Sequence, residues 1–257
     1  MKRRKIVIFN NGKDLKKYDI HATDGNIGTV HDLLIDDQKW TIRYLVVDTM
    51  KWLPGKKVLI SPMSIENVDY EEGKFALNLT KEEIKNSPDL DADQPVSRQY
   101  ELQLGNYYGY APYWGPAGLG NWGLYATPGE LVQNTSPNVG VPNEAGEESH
   151  LRSFKEVTGY DIHAIDGRIG HVEDFIICDR TWKVRYIIVD TKNLWPGKHV
   201  ILSPEWITDI LWTDRAVTMD LTKEQIKNGP EYLPMQDITA EYERLLFEKY
   251  DKPKYWE

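Results

Sequence analysis

The stretch YDIHATDGNIGTVHDLLIDDQKWTIRYLVVDT, from Tyr18 to Thr49, occurs a second time as YDIHAIDGRIGHVEDFIICDRTWKVRYIIVDT, from Tyr160 to Thr191. The offset is a constant 142 residues, with no gap. From Tyr18 to Pro88, about 34 of 71 aligned positions are identical, far more than one internal match gives by chance. The local pattern is that of β structure. Asp24-Gly25 and Asp166-Gly167 are turn signals, because Gly takes positive φ without penalty and Asp tolerates it. Tyr18–Ala22 and Ile27–Ile35 therefore read as the arms of a hairpin, with the next turn at Asp36–Lys39. In TIRYLVVD, Thr41 to Asp48, Ile42, Tyr44 and Val46 share one face while Leu45 and Val47 share the other. Apolar residues on both faces predict a strand buried on both sides.

Downstream, the repeat continues through a Pro-Gly loop, Trp52-Leu53-Pro54-Gly55 in one copy and Leu194-Trp195-Pro196-Gly197 in the other. Short strands are predicted at VLISP and VILSP, near Ile65–Tyr70 and Lys74–Leu79, and near Ile207–Trp212 and Ala216–Leu221. LTKEEIKNSP and LTKEQIKNGP then place Thr80 before Glu83, and Thr222 before Gln225, as capping boxes for a short helix stopped by Pro88 or Pro230. The match extends into a tail: QYELQLGNYYGYAPYW (Gln99–Trp114) lies over EYERLLFEKYDKPKYW (Glu241–Trp256) and predicts a second helix ending in a Tyr-Trp anchor. The expectation is mainly β, with two tandem small barrels, each followed by short helices. Domain boundaries are expected at 1–12 for a basic lead-in, 13–114 for the first module with its tail, 115–152 for a Gly/Pro-rich linker, and 153–257 for the second module with its tail.

Composition narrows the function classes. The formal net charge of −9 opposes nucleic-acid binding, which draws on clustered Lys and Arg. The single cysteine, Cys178, cannot form an internal disulfide, and its counterpart in the first copy is Asp36. After the opening MKRRK, the apolar stretch Ile6–Phe9 is far short of a signal-peptide core, and nothing approaches the roughly 20 apolar residues of a membrane helix. A cytoplasmic protein without membrane insertion is the expectation.

The run Asp24-Gly25, Ile27-Gly28, Asp32, Val47-Asp48 and Ser61-Pro62, with its second copy Asp166-Gly167, Ile169-Gly170, Asp174, Val189-Asp190 and Ser203-Pro204, resembles the PRC-barrel domain. The resemblance covers about 70 residues of each copy. That family includes the cytoplasmic domain of the photosynthetic reaction centre H subunit and the C-terminal domain of a ribosome-maturation factor. The resemblance implies a small β-barrel used for docking and assembly, and no catalysis within this domain.

Among chemistry-bearing residues, His21 and His163 each stand three positions before a turn aspartate, Asp24 or Asp166. With His31 and Asp32, or His171 and Asp174, they suggest metal ligands, but His-x-x-Asp alone lacks the ligand count of a known site. A turn-capping role is the simpler reading. Arg43 and Arg185 lie on the strands that end in Asp48 and Asp190, which reads as a structural Arg–Asp pair. No phosphate-binding loop or dinucleotide fingerprint is present. The densest patch is aromatic: Tyr107, Tyr108, Tyr110, Tyr113 and Trp114, with Tyr255 and Trp256 repeated at the far end. These rings are expected to cover the neighbouring barrel, to meet a protein partner or second copy, or to stack on bases. Arg98 is the one basic residue between Asp89 and Glu148, which makes base stacking the weakest of the three.

The sequence thus predicts a non-enzymatic binding or scaffold protein with no cofactor, whose partner is a protein still to be identified or a second copy in a homodimer. The alternatives are an RNA- or ribosome-associated assembly factor and a small-ligand-binding or catalytic protein using a cleft between the modules.

Overall fold

The computed structural model describes residues 9–49, 52–90, 95–114, 127–131, 149–191, 198–233 and 237–254. The elements from the first strand to the linker are β1 (Phe9–Asn11), α1 (Gly12–Leu15), β2 (Asp19–Ala22), β3 (Gly25–Asp36), β4 (Thr41–Asp48), β5 (Lys57–Ile60), β6 (Ile65–Asp69), β7 (Lys74–Leu77), α2 (Lys81–Lys85), α3 (Arg98–Tyr108) and, in the linker, α4 (Pro128–Leu131). The second series is β8 (Leu151–Ser153), α5 (Phe154–Val157), β9 (Asp161–Ala164), β10 (Gly167–Cys178), β11 (Val184–Asp190), β12 (His199–Leu202), β13 (Ile207–Leu211), β14 (Ala216–Met219), α6 (Lys223–Asn228) and α7 (Ala240–Lys249). The fold is mainly β, with two similar seven-stranded sheets.

One sheet runs β5-β4-β3-β2-β7-β6 and the other β12-β11-β10-β9-β14-β13. Neighbours along these two six-strand paths are antiparallel except β2 with β7 and β9 with β14, which are parallel. The hairpin read from Asp24-Gly25 is β2–β3. The strand read as buried on both faces is β4, with seven of its eight residues buried. Ile20, Leu33, Ile42, Leu45, Val47, Ile60 and Phe75 form the interior of this module, each at most 1% exposed. The Ser-Pro motif starts a single 3₁₀ turn, in which the Ser61 hydroxyl accepts from the Met63 amide. Both capping boxes are formed: the Thr80 and Thr222 side chains accept from the amides of Glu83 and Gln225, whose side chains reach back.

The seventh strand of each sheet comes from outside its own repeat. β8 pairs antiparallel with the far end of β3, Leu34 opposite Ser153 and Asp36 opposite Leu151, while β1 pairs with β10. The reason is geometric. β3 is 12 residues long, but β2 covers it only from Gly25 to Thr29, which leaves a bare ladder edge at its other end. Consistently, the compact units are not contiguous in sequence. One contains Gly12–Phe154 and Cys178–Lys183, and the other contains the segment ending at Asn11, Lys155–Ile177 and the chain from Val184 onward.

Within the unit built on the first repeat, the segment Cys178–Lys183 delivers Trp182. Its ring is 6% exposed and lies 5.8 Å from that of Phe75, and its carbonyl accepts from the Ile42 amide at 2.8 Å. Trp182 has φ +62°, and Trp40, the same position of the first repeat, has φ +49°. Left-handed backbone costs a residue with a Cβ roughly 1–2 kcal/mol, so its recurrence marks a turn geometry that the fold requires.

Candidate functional site

The tail of the first repeat brings the aromatic patch onto its own sheet. Ser97 caps α3 by accepting from the Tyr100 amide, and Gly109 ends it in the left-handed conformation. The Tyr110 amide then donates to the Gly105 carbonyl at 2.8 Å, which turns the chain back along the helix. A Cβ on Gly105 would stand 3.0 Å from the Tyr110 carbonyl oxygen, so the returning chain runs in close contact with the helix here. Tyr113 and Trp114 are interior side chains, packed edge to face at 4.6 Å. Tyr108 and Tyr110 are half-buried and stacked at 5.8 Å. Tyr107 remains 41% exposed, with its hydroxyl bonded to the Glu83 carbonyl. Tyr255 and Trp256 lie outside the described residues.

Beneath these rings is a buried network of charges. Arg43 donates to Asp36 Oδ2 through Nε at 3.1 Å and Nη2 at 2.9 Å, and both residues are almost fully buried. Asp36 Oδ1 accepts from the amides of Gln38 and Lys39. This corrects the expected pairing of Arg43 with Asp48: Asp48 is an odd number of positions along the same strand and so faces away, whereas Asp36 lies across the β3–β4 hairpin. Because Asp36 is replaced by Cys178 in the second repeat, the pair belongs to the first repeat alone. The Arg43 guanidinium also sits 3.7 Å from the centre of the Tyr113 ring.

Arg98, on the first turn of α3, donates to Glu101 Oε1 at 3.1 Å and to the Tyr113 hydroxyl at 2.9 Å. Tyr44 also hydrogen-bonds Glu101. Burial nevertheless outweighs these partners and lifts the Glu101 carboxyl to about 7. Beside this network is a cavity of about 40 Å³, lined by Arg43, Glu101, Tyr108, Tyr110, Tyr113 and Trp114 among others.

The duplication supplies an internal comparison for that cavity. Ser64 and Gly105 correspond to Trp206 and Phe247. In the second repeat these two rings are buried and packed edge to face at 5.3 Å, with Tyr250 at 5.1 Å from Trp206. In the first repeat the same positions carry a hydroxymethyl group and a hydrogen, and the Ser64 hydroxyl bonds that of Tyr110 at 2.7 Å. Arg98 and Asp36 are likewise Ala240 and Cys178 in the second repeat, while Tyr44 with Glu101 recurs as Tyr186 donating to Glu243. The tyrosine–glutamate pair is therefore common to both repeats. Arg98 and the Arg43–Asp36 pair are particular to the first.

The His-x-x-Asp pairs take separate partners. Asp24 and Asp166 accept from the amides of Lys81 and Lys223, at 2.8 Å each, which ties each hairpin turn to the start of α2 or α6. The His21 ring meets Asn26 at 3.2 Å, and His163 stands across the ladder from Arg168. Asp32 accepts from the Ser153 hydroxyl of β8, whereas His31 turns toward Lys57 Nζ at 3.5 Å. The side chains that do converge in metal-ligand fashion among the described residues are Glu173, Asp190 and His199. Sequence reading passed over this trio because its members stand on three different strands.

Residues 9–84 match the family model of the PRC-barrel domain. The first repeat is a PRC-barrel domain. The PRC-barrel match begins at Phe9 and so includes β1, the strand that lies in the sheet of the second repeat. That second sheet follows the PRC-barrel strand order of the first, β5-β4-β3-β2-β7-β6 being reproduced as β12-β11-β10-β9-β14-β13. The chain is also similar to a protein of Deinococcus radiodurans described as uncharacterized, 37% identical over 73 residues. The similarity covers 28% of this chain and 26% of that protein, so this chain matches only about a quarter of that relative's length. No helix among the described residues is long and apolar enough to cross a membrane.

Proposed function

We propose that the chain is a non-enzymatic docking protein that attaches to other proteins through its PRC-barrel modules. In this reading the first repeat makes the decisive contact, through its tail helix and the pocket beneath it. The observation that carries the proposal is the pocket's origin. Gly105, one of its lining residues, stands where the second repeat carries the buried ring of Phe247. The pocket, about 40 Å³, is well under the roughly 300–1,000 Å³ of small-molecule sites and suits one inserted side chain. Its aromatic walls and its one lining arginine, Arg43, are of the residue types that dominate protein contact energies. The net charge of −9 supports a protein partner over nucleic acid. A reducing, cytoplasmic setting is part of the same proposal and agrees with the buried lone thiol of Cys178.

The test is an affinity capture from host lysate, treated with RNase and read by mass spectrometry, with two variants run beside the wild type. Asn106→Trp crowds the exposed rim of the pocket. Gly105→Phe installs the residue of the second repeat and fills it. A set of proteins captured by the wild type and lost with both variants, while far-UV spectra are unchanged, is the expected result. Capture that is indifferent to both would refute docking through this pocket, and capture abolished by RNase would favour an RNA-associated role.

A further inference from the structure

We propose that the second repeat carries a divalent transition-metal site formed by Glu173, Asp190 and His199. The three side chains come from three adjacent strands, β10, β11 and β12, and their ligand atoms all lie within 4.8 Å of one another. Asp190 and His199 are directly opposed across the β11–β12 ladder. Glu173 is delivered by a bulge: Val172 pairs with Val189 and Asp174 with Ile188, so Glu173 is the extra residue between them. A bulge re-aims the side chain of its unpaired residue, and here it brings the Glu173 carboxylate to 2.7 Å from His199 Nε2.

The donor set is one imidazole nitrogen and two carboxylate oxygens. Zn²⁺, Mn²⁺ and Fe²⁺ accept such a set at about 2.0–2.2 Å per ligand, with water completing the shell. A metal at that distance holds neighbouring ligand atoms about 3 Å apart. Small side-chain rotations therefore suffice to move from the direct Glu173–His199 contact to a shared ion. Asp190 is 3% exposed and fixes the floor of the site, while Glu173 and His199 are partly exposed and give an ion access from solvent.

The first repeat again provides the comparison. Its bulge is retained, with Val30 opposite Val47 and Asp32 opposite Val46, and it presents His31 at the place of Glu173. Asp48 stands for Asp190, and Lys57 stands for His199, directly opposite Asp48 on the neighbouring strand. There the cation is covalent: Lys57 Nζ lies 3.5 Å from His31 Nε2. With neutral imidazoles, the formal charge of the three side chains is zero in the first repeat and −2 in the second. The second repeat has thus exchanged a built-in ammonium for a ligand set that a divalent ion would neutralise.

The experiment uses the full chain, stripped with chelator and dialysed, and titrated with Zn²⁺ alone by calorimetry and by equilibrium dialysis. One Zn²⁺ per chain is expected, with binding weakened at least tenfold in His199→Lys, which copies the residue of the first repeat, and in Glu173→Gln. His21→Ala and His163→Ala are expected to bind as the wild type does. Mn²⁺ followed by electron paramagnetic resonance gives the same readout through the loss of the free-ion signal. Far-UV spectra confirm folding, and Glu173→Gln stands in if His199→Lys does not fold. No saturable binding, or one-to-one binding that survives both substitutions, overturns the proposal.

Discussion

The hydroxyl of Tyr113 donates to the carboxyl of Glu101 at 2.8 Å, inside the first module where both residues are almost entirely out of water. Burial raises Glu101 from its ordinary 4.5 to about 7, so between those values the folded protein holds a proton that the unfolded chain releases. The resulting stabilisation is complete below about pH 4.5 and is lost as pH rises through 7. A displacement of this size corresponds to about 3 kcal/mol. Glu101→Gln, neutral at every pH, is expected to remove that slope. Urea denaturation at intervals from pH 5 to pH 8 measures it, and a variant with the slope of the wild type would show that Glu101 is ionised throughout.

The Arg43–Asp36 pair is buried on both sides, so removing one member strands the other. Asp36→Ala is expected to cost about 3–5 kcal/mol, the usual penalty for an uncompensated buried charge. The double variant Arg43→Met with Asp36→Ala should recover much of that loss. Equilibrium denaturation of the two proteins decides it, and equal instability of both would locate the cost in the turn amides of Gln38 and Lys39 instead.

Gly28 and Gly170 occupy the same position of the two hairpins, and a Cβ on either would fall 1.9 Å from the carbonyl oxygen of Asp48 or Asp190. The close approach involves backbone on both sides, so no rotamer change relieves it. Gly28→Ala and Gly170→Ala are each expected to destabilise by at least about 2 kcal/mol, at the upper end of overpacking effects. Thermal melts of the two variants test this, and an unchanged midpoint would mean that the strands can separate there.

Each compact unit contains residues from both sides of the Gly/Pro-rich linker. A specific protease site inserted in that linker and cleaved to completion is expected to give two bands on a denaturing gel but one peak at the position of the intact protein in native size exclusion. Separation into two peaks without denaturant would show that β1 and β8 are dispensable to the sheets they join.

Much of this architecture could be read directly from residues. Asp24-Gly25 marked the β2–β3 hairpin, the two-faced apolar run from Thr41 marked β4, and Thr80 with Glu83 marked the start of α2, because each of these signals is local. The partners of β1 and β8 were not legible: two three-residue strands carry no periodicity, and which edge they cover depends on how far β2 extends along β3. The same limit applies to the sites. Aromatic rings clustered in sequence were visible at once, but the cavity between them, with Gly105 in its wall, depends on how the chain returns along α3. His199 and Glu173 are 26 positions apart and meet only through a bulge and a ladder register.

The reciprocal placement of β1 and β8 also bears on how the protein keeps its shape at the low concentrations of a cell. A single-repeat protein that completed its sheet with a strand from a neighbour would come apart on dilution. Here donor and acceptor are one polypeptide, so completion is a unimolecular event governed by effective concentration, which is set by the reach of the connection. Shortening that connection below the span it must cover would leave each sheet to recruit its last strand from another chain, and strand exchange between chains would replace exchange within one.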